Sequence, residues 1–346
     1  MTLADTGLEP PVVDVAVLIV AYRSRATLDQ CIAALGAQTV TPRQVFVLEN
    51  GSPAGERIDG AALPDWVRFV ESEENLGFAG GNNHLAKMAD CEWLALLNPD
   101  AFAKPDWLEK FTRATDRYPD ISLFGSTQYA ANYPGLLDGV GDVYHATGLA
   151  YRAGYMRPVA LLPDDGEVFA ICGAAAFWRR SVFDALGGFD ERFFCYNEDV
   201  DLAYRAKLAG YRAIQLRDAA VDHLGYASSG RRSEFATYYG VRNRLWVFLK
   251  NTPGWLLWVL GPVHAGITVL LWLSAARFGQ FTVFGRALGD ALKRRKDMMA
   301  SRRDIQASRI ASTWQIACSM SWNPTRLLTR APDVRRRAPG QSSQSD

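Results

Sequence analysis

The 346-residue sequence lacks the marks of several protein classes. Its five cysteines form no Cys-x-x-Cys pair and are odd in number, which excludes a zinc ribbon or knuckle and argues against a disulfide framework. The acidic N-terminus, residues 1–11, has no basic region followed by an apolar one, so we expect no secretory signal. With 49% hydrophobic and 22% charged residues, most of the chain is not of a disordered or low-complexity class. We expect a folded body in a reducing compartment, the cytoplasm.

The net charge is close to zero, but it is unevenly distributed. The whole chain carries a formal charge of +1. Residues 286–337 hold 13 Lys and Arg against 4 Asp and Glu, a net charge of +9, whereas residues 1–285 hold 25 against 32, a net charge of −7. The basic part has neither interleaved aromatics nor a recognised nucleic-acid motif, so we expect no nucleic-acid partner.

An alternation of strands and helices fills the first part of the chain. Residues 15–20 form an apolar, β-branched run typical of a strand buried on both faces. A helix with apolar positions from Leu28 to Leu35 follows, capped by Ser24 or Thr27, and residues 45–48 form a second strand. This order indicates a right-handed parallel βαβ unit. Further strands are expected at 67–70 and 93–97, and helices at 82–88, 105–118 and 198–209, with a mixed region at 121–188 between them.

These elements predict an α/β fold with a Rossmann-like, doubly wound, mainly parallel sheet. Such sheets bind ligands beyond the carboxyl ends of their strands. Residues 75–83, Asn-Leu-Gly-Phe-Ala-Gly-Gly-Asn-Asn, follow the third strand and open a helix whose N-terminus favours an anion. The glycine spacing matches neither a dinucleotide fingerprint nor a P-loop, and a plain loop explains it equally well.

Asn98-Pro99-Asp100 ends the fourth strand. It is either an ordinary Asn-Pro turn or a place where the Asp100 carboxylate holds a hard cation against phosphate oxygens.

A third candidate site lies around Glu198, Asp199 and Asp201, which follow a run of aromatic residues. Acidic residues in the first turn complement the helix dipole, and Asn197 can cap the helix. Three carboxylates within four residues are more than capping and the helix dipole require. The neighbouring aromatic residues would raise the pKa of one carboxyl group, and a raised pKa suits a general base. His223, one of four histidines, is either structural or a ligand for a metal or diphosphate.

Taken together, these segments resemble a family-2 glycosyltransferase of the GT-A fold, within its rhamnosyltransferase-like branch. The resemblance runs from Val15 to about Lys250. It is carried by the order and spacing of seven segments, at residues 17–22, 47–52, 75–83, 97–100, 187–191, 197–202 and 239–244.

The resemblance implies transfer of a sugar from a nucleotide diphosphate with inversion at the anomeric carbon. Asp199 matches the family's general base, and Asp100 matches the last acid of an Asp-x-Asp-type element that holds Mg²⁺ or Mn²⁺, with His223 near the metal. The positions implied to bind the nucleotide sugar are Ala21, Tyr22, Glu49, Asn50, Gly77, Asn82, Asn83, Asn98, Asp100 and Glu198. Two residues depart from the family pattern: Asn98 removes a charge, and Glu49 stands where an Asp is usual.

Residues 254–276 contain no charged side chain and are long enough to span a bilayer. Gly261-Pro262 interrupts them, so a broken in-plane helical pair is as good an interpretation as one span, and a soluble core helix is the alternative. The basic residues that follow would face an anionic cytoplasmic leaflet. We therefore expect a flexible N-terminus at 1–12, a GT-A catalytic domain at 13–250, a helical membrane-associating extension with a basic tail at 251–330, and disorder at 331–346.

The leading hypothesis is a membrane-associated inverting transferase at the cytoplasmic face of the cell membrane. It would move L-rhamnose from dTDP-L-rhamnose to a polyprenyl-diphosphate-linked glycan in cell-envelope polysaccharide synthesis. The alternatives are a catalytically silent nucleotide-sugar-binding scaffold at the membrane and a transferase that uses a UDP- or GDP-sugar. A channel or transporter is excluded because the chain has one long apolar segment.

Overall fold

The computed structural model describes residues 10–225 and 233–336. Its strands are β1 (Val12–Ala21), β2 (Thr41–Asn50), β3 (Val67–Ser72), β4 (Trp93–Leu97), β5 (Ala101–Ala103), β6 (Leu123–Ala130), β7 (Leu137–Gly139), β8 (Asp142–Tyr144), β9 (Ala150–Arg152), β10 (Gly166–Glu167), β11 (Ala175–Arg179) and β12 (Ala213–His223). Its helices are α1 (Arg25–Gly36), α2 (Gly77–Met88), α3 (Trp107–Arg117), α4 (Arg180–Ala185), α5 (Glu198–Leu208), α6 (Glu234–Asn251), α7 (Gly254–Ala275), α8 (Phe281–Lys293), α9 (Arg295–Ala307), α10 (Thr313–Ser319) and α11 (Pro324–Thr329).

The main sheet has ten strands, and its principal path runs β3-β2-β1-β4-β11-β6-β12-β10. The pairs β1–β2, β1–β4, β2–β3 and β6–β12 are parallel. Strand β11 lies antiparallel between β4 and β6, so β6 and β12 run in the same direction as β4. The predicted doubly wound, mainly parallel sheet is confirmed, and the carboxyl ends of β1, β4 and β12 share one edge.

Strand β1 shows why the sheet is covered on both faces. Alternate residues point to opposite sides. Ala16 and Leu18 pack into one hydrophobic cluster, while Val17 and Ile19 pack into the other. All four are fully buried, and each large aliphatic side chain buried in this way contributes about 1.5–3 kcal/mol.

Two local expectations are corrected. Helix α2 begins at Gly77 instead of Asn82, so most of the glycine-rich segment lies inside the helix. Ser24 and Asn197 occupy the N-cap positions of α1 and α5, but neither side chain caps its helix. Ser24 donates its hydroxyl to the Tyr22 carbonyl, and Asn197 has the left-handed backbone conformation, φ 64°.

The C-terminal helices are part of the main body. Leu256, Met298 and Ile316 belong to the same hydrophobic cluster as Ala16 and Leu18 of β1. The predicted boundary at residue 250 falls within α6. Helices α7 to α10 therefore pack against the same core as the sheet.

Helix α7 is continuous through Pro262, so of the two interpretations left open by the sequence, the one with a helix broken at Gly261-Pro262 is not observed. The segment Gly254–Phe278 has a mean hydropathy of 1.9 and is the one helix among the described residues that is long and apolar enough to cross a membrane.

The termini also differ from expectation. Val12 already belongs to β1. Residues 331–336, expected to be disordered, run along β10, where the Glu167 and Arg335 backbones exchange two hydrogen bonds. Residues 1–9 and 337–346 lie outside the described residues, so the flexibility and disorder expected there stay predictions.

Candidate functional site

The predicted metal ligands meet at the carboxyl edge of the sheet. Asp100 lies in the turn after β4, and His223 is the last residue of β12. Strand β5 begins directly after Asp100 and pairs with β12 so that Ala101 lies opposite His223. Asp100 Oδ1 is consequently 3.3 Å from His223 Nε2.

A second carboxylate holds the other side of the His223 ring. His223 Nδ1 lies 2.7 Å from Asp138 Oδ2, and Arg152 forms an ion pair with the same carboxylate. Burial alone would lower the pKa of His223, but the Asp100 and Asp138 carboxylates together raise it above its ordinary value. An imidazole anchored at Nδ1 presents Nε2 in a fixed direction, as in many metal sites.

Asp199 lies in the first turn of α5. Its Oδ2 accepts a hydrogen bond from the Gly173 backbone N–H at 2.9 Å, and its Oδ1 accepts one from the Val200 N–H at 2.8 Å. Burial raises the pKa of Asp199 despite these two backbone donors, which favour the ionised form. The carboxylate is thus held rigidly and has a raised affinity for a proton, as a general base requires.

Asp199 has an acidic neighbour. Potential ligand atoms of Asp142, Cys172 and Asp199 all lie within 4.8 Å of one another. Burial, and then repulsion from the Asp199 carboxylate, raises the pKa of Asp142 to about 8. Burial also raises the pKa of Asp199, so the two neighbouring carboxyl groups titrate as a coupled pair.

Arg152 connects the two groups. It lies opposite Asp142 in the β8–β9 pair and also contacts Asp138. Its positive charge lowers the pKa of both Asp138 and Asp142. Asp100, His223, Asp138, Asp142 and Asp199 therefore form one continuous polar arrangement.

Sequence reasoning missed Asp138, Asp142 and Arg152. They come from the short strands of residues 121–188, which the sequence shows only as a mixed region. The available signal was a pair of aspartates in the glycine-rich stretch at 135–142, where polar residues follow a strand in an otherwise apolar setting.

Two expected nucleotide contacts serve the protein's own loops. Both carboxylate oxygens of fully buried Glu49 accept backbone hydrogen bonds, from Ser52 at 2.7 Å and from Ile58 at 2.9 Å. The nucleotide contact expected from Glu49 stays a prediction. Asn50 accepts a hydrogen bond from Leu76 N–H and donates to the Asn75 side chain, which holds the loop before α2.

The asparagines of α2 are also engaged within the protein. Asn82 donates to the Phe78 carbonyl. Asn83 exchanges two hydrogen bonds with the Phe189 backbone, both at 2.9 Å, and is buried. Asn83 thereby joins α2 to the turn before α5. The nucleotide contacts expected from Asn82 and Asn83 stay predictions. Gly77, at the start of α2, has φ +70°, and a Cβ there would lie 2.4 Å from the Phe194 carbonyl oxygen.

The remaining predicted binding residues lie at the sheet edge. Ala21 ends β1 and is buried, while Tyr22 is half-buried. Asn98 N–H donates to the Ala174 carbonyl, which ties the β4 turn to the loop carrying Gly173. Burial raises the pKa of Glu198 well above its usual value, and its Oε2 has no hydrogen-bond partner among the described residues.

The residues present fit a divalent metal. His223 is 3% exposed, and its Nε2 has no hydrogen-bond partner in the described part of the chain. This buried nitrogen faces a carboxylate oxygen of Asp100, so the two supply a nitrogen and an oxygen ligand to one point.

The profile of a family described as "Glycosyltransferase like family 2" matches residues 10–248. N-acetylglucosaminyl-diphospho-decaprenol L-rhamnosyltransferase of Mycobacterium tuberculosis is 28% identical over 276 residues, covering 70% of this chain and 88% of that protein.

Two solved structures share the fold. S. aureus TarS residues 1–349 in complex with UDP-GlcNAc superimposes with a TM-score of 0.52 at 15% identity, covering 85% of this chain and 91% of that one. GalNAc-T7 with UDP, GalNAc and Mn²⁺ gives a TM-score of 0.54 at 14% identity over 70% of this chain, which spans about half (48%) of that chain's length.

Proposed function

Since the chain belongs to glycosyltransferase-like family 2, in its rhamnosyltransferase-like branch, and has the GT-A fold, we propose that it is a metal-dependent inverting transferase acting on a lipid-linked glycan. One observation carries the proposal. The Asp199 carboxylate and the Asp100–His223 pair lie in one polar arrangement at the ligand-binding edge of the sheet.

Asp199 acts as the general base. It takes the proton of the acceptor hydroxyl as that oxygen bonds to the anomeric carbon, while the bond to the nucleotide diphosphate breaks on the opposite side. Two backbone N–H donors hold the carboxylate in place and favour its ionised form. Attack from the side opposite the leaving group inverts the anomeric carbon.

Asp100 and His223 would hold Mg²⁺ or Mn²⁺ at the donor diphosphate. When bound, such an ion stabilises the negative charge of the leaving group as a Lewis acid. Asp138 fixes the His223 ring by its contact with Nδ1, and Arg152 fixes Asp138 in turn.

The proposed donor is dTDP-L-rhamnose, and the proposed acceptor is a polyprenyl-diphosphate-linked glycan in cell-envelope polysaccharide synthesis. Support comes from the Mycobacterium tuberculosis relative, whose name gives both a decaprenol-linked acceptor and L-rhamnose. The long apolar helix supports membrane association, which we place at the cytoplasmic face.

A thermal-shift panel of dTDP-, UDP- and GDP-sugars with Mg²⁺ or Mn²⁺ tests the donor, because a ligand of the native state raises the melting temperature. We expect the largest metal-dependent shift with dTDP-L-rhamnose. A larger shift with a UDP- or GDP-sugar would overturn this choice of donor. Binding without transfer or donor hydrolysis would instead indicate a silent scaffold.

A further inference from the structure

Helix α7 has two distinct sides. Because an α-helix turns by about 100° per residue, the buried residues of α7 all lie on one side of the helix. These residues are Leu256, Leu260, His264, Thr268 and Ala275. Its exposed apolar residues lie on the opposite arc, and they are Trp255, Trp258, Val259, Val263, Val269, Leu270 and Leu273. Because the buried positions extend over nearly the whole helix, α7 lies along the body and does not project from it.

Polar contacts fix the buried side. The His264 ring donates from Nδ1 to the Thr147 carbonyl at 2.8 Å and stacks on Phe248 at 4.2 Å. Arg244 donates to the Thr268 hydroxyl at 3.1 Å. A transmembrane placement of α7 would bring Arg244 and the adjoining body into the hydrocarbon, and a single arginine at that depth costs about 2.5–3.5 kcal/mol.

The opposite side is apolar and unusually exposed. Trp258 is 81% exposed, Leu270 65% and Leu273 58%. From Trp255 to Leu273 this side extends about 27 Å at the helical rise per residue. An uncovered apolar strip of this length indicates an interaction surface.

We propose that α7 lies in the plane of a membrane, with this side inserted among the lipids of an anionic leaflet and the buried side attached to the catalytic body. Tryptophans at Trp255 and Trp258 are typical of the bilayer interface. The flank is basic: Arg277 follows α7, and residues 286–296 hold five Lys or Arg against Asp290 alone. Arg286 and residues 293–296 are exposed, and each basic group near an anionic surface contributes about 1 kcal/mol.

This placement brings the site close to the lipid. Thr147, which contacts α7, is five residues from Asp142, the neighbour of Asp199, and five residues reach at most about 18 Å. A sugar linked through a diphosphate to a membrane lipid would therefore meet the base without leaving the surface. This consequence rests on the proposed function, whereas the membrane placement does not.

Flotation with vesicles of phosphatidylcholine containing phosphatidylglycerol tests the surface. The double variant Trp258→Glu/Leu270→Glu should lower the partition coefficient by about tenfold or more, because each inserted apolar side chain contributes about that factor. The control is Trp66→Glu, which removes a tryptophan that is 46% exposed near β3 and should leave binding unchanged. Unchanged vesicle binding by the double variant would overturn the proposal. The proposal would also be overturned if the protein were a dimer in solution and the double variant became a monomer with unchanged vesicle binding. A second copy of the chain would then cover the apolar side of α7.

Depth measurements distinguish an in-plane helix from a span. A cysteine is introduced at one position at a time, by Trp255→Cys, Val263→Cys or Leu273→Cys, and carries a fluorophore that doxyl lipids quench. The background is Cys318→Ser, which removes the native cysteine that is exposed. An in-plane helix gives one shallow depth at all three positions, whereas a central label about 12 Å deeper than the first would show a span and contradict us. Neither assay measures transfer. Donor hydrolysis in detergent-free buffer, followed in the same variants, therefore reports separately on the proposed function.

Discussion

At the scale of single residues, the pair formed by Asp142 and Asp199 determines when the base is ionised. Burial raises the pKa of both groups, and their charges repel each other. The base must be ionised to act, so we expect activity to rise with pH through a range above that of an ordinary aspartate.

The Asp142→Asn substitution should shift the rise in activity, the acidic limb of the pH profile, to lower pH. The substitution removes the neighbouring carboxylate that disfavours ionisation of Asp199. The measurement is a pH profile of kcat/KM. Asp184→Asn, an exposed aspartate on α4, is the control and should leave the limb in place. If the acidic limb of the kcat/KM profile lies at the same pH in Asp142→Asn as in the wild type, the two carboxyl groups are not coupled.

Asp199→Asn should lower the transfer rate by about 10²–10⁴-fold, the usual contribution of general-base catalysis. Metal-dependent nucleotide binding should persist, since Asp100 and His223 are intact. Transfer assays and thermal shifts on the same preparation separate the two effects. Near-normal turnover would contradict the assignment of the base.

Asp138→Asn tests the support of His223. The His223 Nδ1 contact would lose its charge, and metal affinity should fall by about 10–100-fold, as for other outer-shell carboxylates. Titration with Mn²⁺, followed by electron paramagnetic resonance, measures free and bound metal without any turnover. Unchanged Mn²⁺ affinity would show that Asp138 is only structural.

The proposed base and metal ligand could be singled out because they stand at recognisable positions of the chain. Asp100 follows a strand and Asp199 opens a helix, and local sequence shows both. Asp138 and Arg152 could not be found in this way, since their contact with His223 depends on pairing between segments far apart in sequence. The backbone donors that bind both Glu49 oxygens were likewise not predictable, because the sequence does not place the loop that carries them.

At the scale of elements, the strands that are buried on both faces were predictable from their apolar runs. The start of α2 was not predictable from the sequence, because glycine residues usually lower helix propensity. In this helix, close packing leaves no room for larger residues at the glycine positions. A Cβ at Gly81 would lie 2.6 Å from Val20, and one at Gly77 would meet the Phe194 backbone.

Gly77→Ala should therefore destabilise the protein. The residue has φ +70°, which costs a non-glycine residue about 1–2 kcal/mol, and the clash with the Phe194 carbonyl adds to this. Gly289→Ala in α8 is the matched control, since no atom lies within 4 Å of its Cβ position and alanine is the better helix former. Urea unfolding should show a loss for the first and no loss for the second. Equal stabilities would mean that the turn before α2 relaxes freely.

At the scale of the whole molecule, the acidic catalytic part and the basic C-terminal helices form one packed body. The Trp246 side chain is fully buried and donates to the Ala291 carbonyl of α8. The sequence shows the change in charge and hydropathy after residue 250, but packing between distant helices is not visible in it.

Deleting all residues from Trp255 onward should therefore give an unfolded or insoluble product. The deletion removes Leu256, Met298 and Ile316 and exposes the core around Trp246 to solvent. Circular dichroism and thermal melting of the purified fragment test this, with the full-length Trp258→Glu/Leu270→Glu variant as the folded comparison. A fragment with a sharp, cooperative melting transition would show that the catalytic part is independent of the helices.

The pairing of Arg335 with Glu167 has a consequence for folding kinetics. The two residues are far apart in the chain, and a long loop must close before their two backbone hydrogen bonds can form. Contacts of such high sequence separation form late and slow the final approach to the native state. Hydrogen exchange should then find the β10 edge opening earlier than the β1–β4 centre, so unfolding begins beside a pairing of high sequence separation.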